Sequence, residues 1–308
     1  MSVRRSNFKK HVNKLALSSV NLENVNSMKT GVNKLSVAST SALVLTYVKS
    51  LYEEGLGKAY LSHIDFSQVK GLADELSRIT PLFREALLIR KRIIRQIIRQ
   101  LMTQHPRPQI CILAAGLDPL GLQITEYFPD RDLSIYEVDS SNMREKQEIY
   151  AAIAFSDDRL HTLQADINNT AQLMRTLVDA GYDPQQPALI IFEGIMHYIS
   201  EEQFLSIMRN FTSSTKQNAV IMDYMEYAEG LPVGSVSKAT EMLDTMESYI
   251  GSRLQQFSRK KILNLLSLLD ADLIEVYDMQ AAELALNGQN RVYKGERKGM
   301  LEIISFHI

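Results

Sequence analysis

Apolar positions recur along this chain in two rhythms. From residue 39 onward they fall at helical spacing: Leu43, Tyr47 and Leu51 mark one stripe, and residues 66–76 suggest a second helix. Thr80-Pro81 breaks that run. A long helix is predicted over residues 83–102, with Leu87, Ile94, Ile97 and Leu101 on its inner face. Beyond residue 105 the rhythm changes. Short segments at 109–114, 133–138, 160–164, 188–192, 217–225, 273–277 and 300–307, several of them unbroken apolar runs, read as strands between helical segments. Runs with little polar alternation, interleaved with helices, predict an α/β fold around a doubly wound, mainly parallel sheet. The chain thus divides into an N-terminal helical cap or lid (residues 1–104) and a sheet domain (105–308), with a helical insertion at 226–257.

The first two strands and the helix between them carry the first chemical signal. The run at 109–114 is followed by Ala115-Gly116-Leu117-Asp118, and the second strand ends at Asp139. Strand, tight glycine turn, helix, strand and terminal carboxylate form a β-α-β unit that binds a nucleoside over the turn, with its ribose hydroxyls on the acid. Only Gly116 is expected to take a positive φ or to admit a ligand against the backbone. Asp118 is the expected N-cap of the helix, with Pro119 as its first residue. The turn lacks the G-x-G-x-x-G pattern of a dinucleotide site, and a pyrophosphate would want more glycine.

Several charged residues break the apolar pattern. Arg90 falls on the buried stripe of the long helix, whereas Arg92, Arg95 and Arg99 lie on another face and are expected in solvent. A buried arginine needs an anionic partner, either a structural carboxylate or the carboxylate of a ligand. Glu193-Gly194 closes the 188–192 strand at the edge where such sheets hold ligands. Asp166, beyond the 160–164 strand, could accept from an adenine amino group with Ile167 over the ring, or could cap the next helix. Ser200 and Gln203 form a capping box. Met242 and Met246 share one face of the 226–257 insertion with Ala239, Leu243 and Ile250, either as core or as an adaptable surface over a substrate. Residues 1–35 are polar and read as an arm, a lid or a frayed terminus.

Composition narrows the partners. The 308 residues are 45% hydrophobic, with a formal net charge of −2, which argues against nucleic acid as the main partner. The single cysteine, Cys111, lies within a predicted strand, so the sequence offers neither a disulfide framework nor a metal cluster. No apolar run reaches spanning length and the first residues lack a signal-peptide core, so a cytoplasmic protein with no membrane partner is expected.

Taken in order, Ala115-Gly-Leu-Asp118, Glu137-Val-Asp139, Lys146 and Ala165-Asp166 match successive motifs of one family. Ala180-Gly-Tyr-Asp-Pro-Gln-Gln-Pro187 and Glu193-Gly-Ile-Met-His-Tyr-Ile199 continue the match. From Arg90 to about Met208 the chain resembles the leucine carboxyl methyltransferase family, class I S-adenosylmethionine (SAM) O-methyltransferases that include bacterial polyketide O-methyltransferases. The resemblance implies a Rossmann-like, seven-stranded sheet whose last strand enters antiparallel. It implies SAM as cofactor, with S-adenosylhomocysteine as product. By the same resemblance Arg90 holds the SAM carboxylate, Ala115 and Gly116 supply the close backbone approach, and Asp139 takes the ribose. Asp166 and Ile167 hold the adenine, and Glu193 the methionine end. The chain departs from the pattern at Ala114, Pro119 and Leu120, where the family usually has glycine, threonine and arginine. Its first ninety residues match poorly, and in the family that part shapes the acceptor site.

The chemistry asks little of the protein beyond alignment of donor carbon and acceptor oxygen. A carboxylate acceptor, with a pKa near ~4, is already ionised at neutral pH, whereas a phenol or alcohol gains from a base. His197, inside the last motif, is the candidate base; the other reading is a packing or hydrogen-bonding residue. The acceptor is expected to be a small molecule, with a protein C-terminus as the alternative. A nicotinamide-dependent dehydrogenase and a non-catalytic nucleoside-binding protein are the rival classes.

Overall fold

The computed structural model describes residues 34–308, apart from 38, 154, 229–230, 232 and 296–298 and the side chain of Val233. The expectation for residues 1–35 therefore lies almost wholly outside the described residues. A two-residue strand β1 (Leu35–Ser36) leads into α1 (Thr40–Val48), whose N-cap Ser39 accepts from the Ala42 N–H, and then into α2 (Gly55–Leu61). Strand β2 (Ile64–Asp65) pairs with β1, and α3 (Ser67–Ile79) and the long α4 (Phe83–Gln104) complete the first part. The sheet begins with β3 (Gln109–Leu113), α5 (Leu120–Tyr127), β4 (Ser134–Asp139), α6 (Met143–Ala152), β5 (Leu160–Gln164) and α7 (Thr170–Asp179). It continues with β6 (Ala188–Phe192), α8 (Glu201–Arg209), β7 (Ala219–Met225), α9 (Val233–Ile250) and α10 (Arg259–Leu268). Strand β8 (Asp272–Asp278), α11 (Met279–Asn287) and β9 (Leu301–His307) close the chain.

The seven long strands form one sheet in the order β5-β4-β3-β6-β7-β9-β8, parallel except for β9, which runs antiparallel between β7 and β8. The α/β class, the sheet and its antiparallel last strand agree with the expectation from sequence. Alternate residues of each central strand enter opposite layers. Ile110, Ile112, Leu189 and Ile191 pack on the side of α1, α3 and α4; Cys111, Leu113, Ile190 and Phe192 pack on the side of α7, α8 and α10. Burial on both faces is why these strands read as unbroken apolar runs. The chain order reverses at β3, flanked by β4 and β6, so a crevice opens at the C-terminal ends of the strands.

Helix α4 packs against α1, α11, β7 and β9 within the single compact unit Lys34–Ile308. That crowding corrects the expectation for Arg95. It is 4% exposed, because the helix is covered on more than the one stripe that its apolar spacing marks. Arg92 and Arg99 are exposed as expected. Two helices had not been anticipated. Helix α2 contains Gly55 and Gly57, poor helix formers, and α11 lies in the connection before β9. The signals for α11 were present, since Asp278 caps its start and Gly288 closes it at φ 70°. No helix among the described residues is long and apolar enough to cross a membrane.

Candidate functional site

The turn after β3 is the floor of the site. Ala114 and Gly116 both adopt left-handed backbone, with φ 49° and 52°. That corrects the expectation that Gly116 alone would do so, and it gives a physical reason for glycine to be usual at position 114. The Gly116 N–H donates to Asp139 Oδ2 at 2.9 Å, tying the turn to the end of β4. The Leu117 N–H donates to Ser41 Oγ at 2.8 Å, and a Cβ on Gly116 would stand 2.6 Å from that same oxygen. A side chain at 116 would therefore displace Ser41 from the turn. Lys146, fully buried, donates to the Asp118 carbonyl at 2.7 Å and pairs with Glu137 at 2.9 Å. The basic residue of the motif is thus an internal strut beneath the turn.

Asp118 does not cap α5. The helix starts at Leu120 with Pro119 in the N-cap position and no side-chain cap. The Asp118 carboxylate turns instead toward α4, where it accepts from Lys91 and from the Tyr52 hydroxyl, with Arg95 at 3.8 Å. A buried lysine and arginine outweigh a helix cap, because a charge left without a partner costs several kcal/mol.

From there a buried ion-pair network runs across the strand ends. Lys91 donates to Glu193 at 2.7 Å; Arg90 Nε lies 3.2 Å from Glu193, and Arg90 Nη1 donates to Asp223 at 3.3 Å. Asp223, on β7, also accepts from the Gly194 N–H at 2.5 Å. Arg90, Lys91 and Arg95 balance Asp118, Glu193 and Asp223. Burial opposes ionisation of Asp118 and Glu193, but the surrounding cations prevail and hold both carboxyls below their usual range. At Asp223 burial dominates and raises the carboxyl. Arg90 thus has protein carboxylates beside it, as its buried position required, yet its Nε makes no hydrogen bond. Lys91, Asp223 and Tyr52 were missed from sequence. Lys91 stood next to Arg90 on a helix already assigned a single buried stripe, and Asp223 sat in an otherwise apolar strand.

Of these groups Arg90, Lys91, Asp118 and Glu193 line one cavity of about 710 Å³, bounded also by Asp139, Asp166, Ile167 and His197. Asp166 is exposed and accepts from the Asn168 N–H at 2.9 Å; the cap of α7 is Asn169, so the capping role considered for Asp166 belongs to its neighbour. Ile167 is 7% exposed in the wall. His197, on a 3₁₀ turn (Met196–Tyr198), is buried with its Nδ1 unpartnered. Burial, reinforced by the nearby Arg90 charge, pushes its pKa down to about 3. Ala115, Gly116, Arg90 and Glu193 border the same cavity, so every site residue expected from sequence meets there.

The family model for leucine carboxyl methyltransferase matches residues 46–212, just over half of the chain. The chain belongs to the leucine carboxyl methyltransferase family. It is accordingly a SAM-dependent methyltransferase, with SAM as its cofactor. The family match begins within α1 and ends just beyond α8, so it spans the turn, the His197 motif and the network apart from Asp223. Comparison with curated proteins finds no match. Among solved structures, a DUF574 family protein from Streptomyces avermitilis superposes with a TM-score of 0.65 at 12% identity, over 88% of this chain and 97% of that one. A candidate methyltransferase from Thermobifida fusca gives a TM-score of 0.65 at 16% identity, over 92% of this chain and 98% of that one. At such identities the likeness is one of fold, the class I methyltransferase fold.

The residues present suit the cofactor. The left-handed turn at Gly116 and the Asp139 carboxylate at the end of β4 border the cavity, and Arg90, ion-paired with Glu193 and Asp223, lines it with a buried Nε that makes no hydrogen bond. A glycine turn, a strand-end carboxylate and a buried guanidinium are the kinds of group that a nucleoside with a carboxylate arm calls for.

Proposed function

We propose that this chain is a SAM-dependent carboxyl O-methyltransferase acting on a small-molecule acid. Arg90 would hold the cofactor carboxylate, and Ala115 and Gly116 would admit its backbone-facing edge. Asp139 would take the ribose, Asp166 and Ile167 the adenine, and Glu193 the methionine end. SAM supplies a methyl group already activated on its sulfonium. The protein has then to exclude water and to hold one acceptor oxygen in line, which is worth several kcal/mol of barrier.

One observation carries the choice of a carboxylate: His197, the candidate base in the cavity wall, is a poor proton acceptor. His197 is buried beside Arg90 and its pKa lies at about 3, so an imidazolium there is strongly disfavoured. Asp118 and Glu193 are held low by Lys91, Arg95 and Arg90. Groups so reluctant to bind a proton are poor bases for a phenol or an alcohol. An acid with a pKa near ~4 arrives ionised and needs none. His197 then serves as a neutral hydrogen-bonding wall residue.

The test is methylation of a mixed panel of carboxylic acids and phenols with methyl-labelled SAM. Esters release labelled methanol in mild base, whereas ethers do not. We expect base-labile product, no inflection of rate across about pH 6–7, and a His197→Gln loss well short of the ~10²–10⁴-fold that removal of a base produces. Base-stable product accompanied by a His197→Gln loss in that range would sink the carboxyl assignment.

A further inference from the structure

The cavity is larger than the strand-end site needs, and its two ends differ in chemistry. Toward β3, β4 and β6 it is bounded by the turn, the carboxylates and the ion-pair network. Away from them it runs between the start of α4 and the inner face of α9, where Phe83, Leu87, Met225, Met242, Met246 and Met300 form the wall. Met242 and Met246 are each 7% exposed. Their spacing of four residues lays both thioethers over the same opening. Among the described residues lining this outer end, Lys238 is the one charged side chain. It is exposed and makes no ion pair among the described residues.

We infer that the outer end is the acceptor chamber, and that its substrate class is a medium-length apolar monocarboxylate. The inference rests on the SAM reading above and deepens it by naming what is methylated. A wall that is mainly apolar, with Tyr293 as a buried phenol in it, disfavours a polyhydroxylated or multiply charged molecule, because most of the polar groups it carried would lose their water unrepaid. Apolar surface brought into the chamber contributes roughly 25 cal/mol per Å². Unbranched, polarisable methionines adapt to chains of differing shape, so the chamber selects for apolarity and length more than for one outline. Lys238 at the exposed side favours an anion over a cation on approach. In this assignment the carboxylate is the group that reaches the strand ends, where His197 and Tyr198 also line the cavity.

The experiment is calorimetric titration of the S-adenosylhomocysteine complex with octanoate, with gluconate as a polar monocarboxylate of similar length, and with a short peptide ending in leucine. Octanoate should bind, gluconate should bind at least about tenfold more weakly, and the peptide should not exceed octanoate. Met246→Glu should weaken octanoate about tenfold or more while S-adenosylhomocysteine binds as in the parent, which also shows that the variant is folded. Met242→Ala, a milder change, should shift the preferred acid toward decanoate or dodecanoate. Tight S-adenosylhomocysteine binding with no octanoate binding, with gluconate equal to octanoate, or with the peptide preferred, overturns the chamber assignment alone. Failure of S-adenosylhomocysteine itself to bind overturns the cofactor reading and the chamber with it.

Discussion

Replacing Lys91 by methionine removes one charge from the buried network and keeps most of the stem that packs around it. Lys91 is 4% exposed and donates to Asp118 and, at 2.7 Å, to Glu193. Three cations face three carboxylates in the parent, and two would face three in the variant. Breaking a buried pair by deleting one partner costs about 3–5 kcal/mol, because the remaining charge is left in a poor solvent. We expect Lys91→Met to lose that much in urea denaturation at pH 7. The companion double variant Lys91→Met/Asp118→Asn, which removes a charge of each sign, should recover a substantial part. The pH dependence has a definite sign. Asp118 and Glu193 titrate lower in the folded chain than in the unfolded one. Their contribution is therefore full above the unfolded carboxylate pKa of ~4 and is lost as pH falls through the folded values. Lys91 is one cause of that depression, so the parent–variant gap should be widest at neutral pH and narrow below about pH 4. A loss under ~1 kcal/mol at pH 7, or a gap that persists in acid, would refute the picture of a water-excluded network.

Asp139→Ala should weaken S-adenosylhomocysteine by on the order of 1–3 kcal/mol in calorimetry, and the parent chain should show no binding of NAD. NAD binding in preference to S-adenosylhomocysteine would restore the dehydrogenase class. Arg90→Ala should cost at least as much affinity as Asp139→Ala, since it removes a charged donor. An unchanged affinity of the folded fraction would leave Arg90 as a purely structural partner of Glu193 and Asp223. Ala114→Gly should raise stability by up to about 1 kcal/mol, the relief of a left-handed Cβ less the extra freedom of glycine in the unfolded chain. A thermal midpoint below that of the parent would show that the Ala114 methyl contributes packing that outweighs its φ of 49°.

What was readable in advance followed local rules. Strands β5 and β6 were placed to the residue; β6 is a short apolar run between turn signals, and β5 alternates Leu160 and Leu163 with polar residues before Ala165-Asp166. The capping box of Ser200 and Gln203 is present with both bonds, since its two partners are three residues apart and depend on nothing else. Asp139 and Glu193 could be placed because a parallel strand's last carboxylate is carried to the same edge as its neighbours'. Asp118 failed as a cap for the opposite reason. Its partners Tyr52, Lys91 and Arg95 lie on segments that only the fold brings together.

By itself, then, the sequence determined the α/β class, the strand edge where a nucleoside-like ligand belongs, and the residues gathered there. These follow from periodicity, turn chemistry and motif order, all carried by neighbours along the chain. Tertiary structure decided the electrostatics and the shape. Whether Arg95 is solvated, whether Asp118 caps or pairs, and whether His197 can hold a proton depend on what α4 and the strand ends exclude from water. The split of the cavity into a charged end and a methionine-lined end likewise arises from α9 crossing the same opening as α4. Burial and charge pairing are properties of distance in space, and spacing along the chain does not encode them.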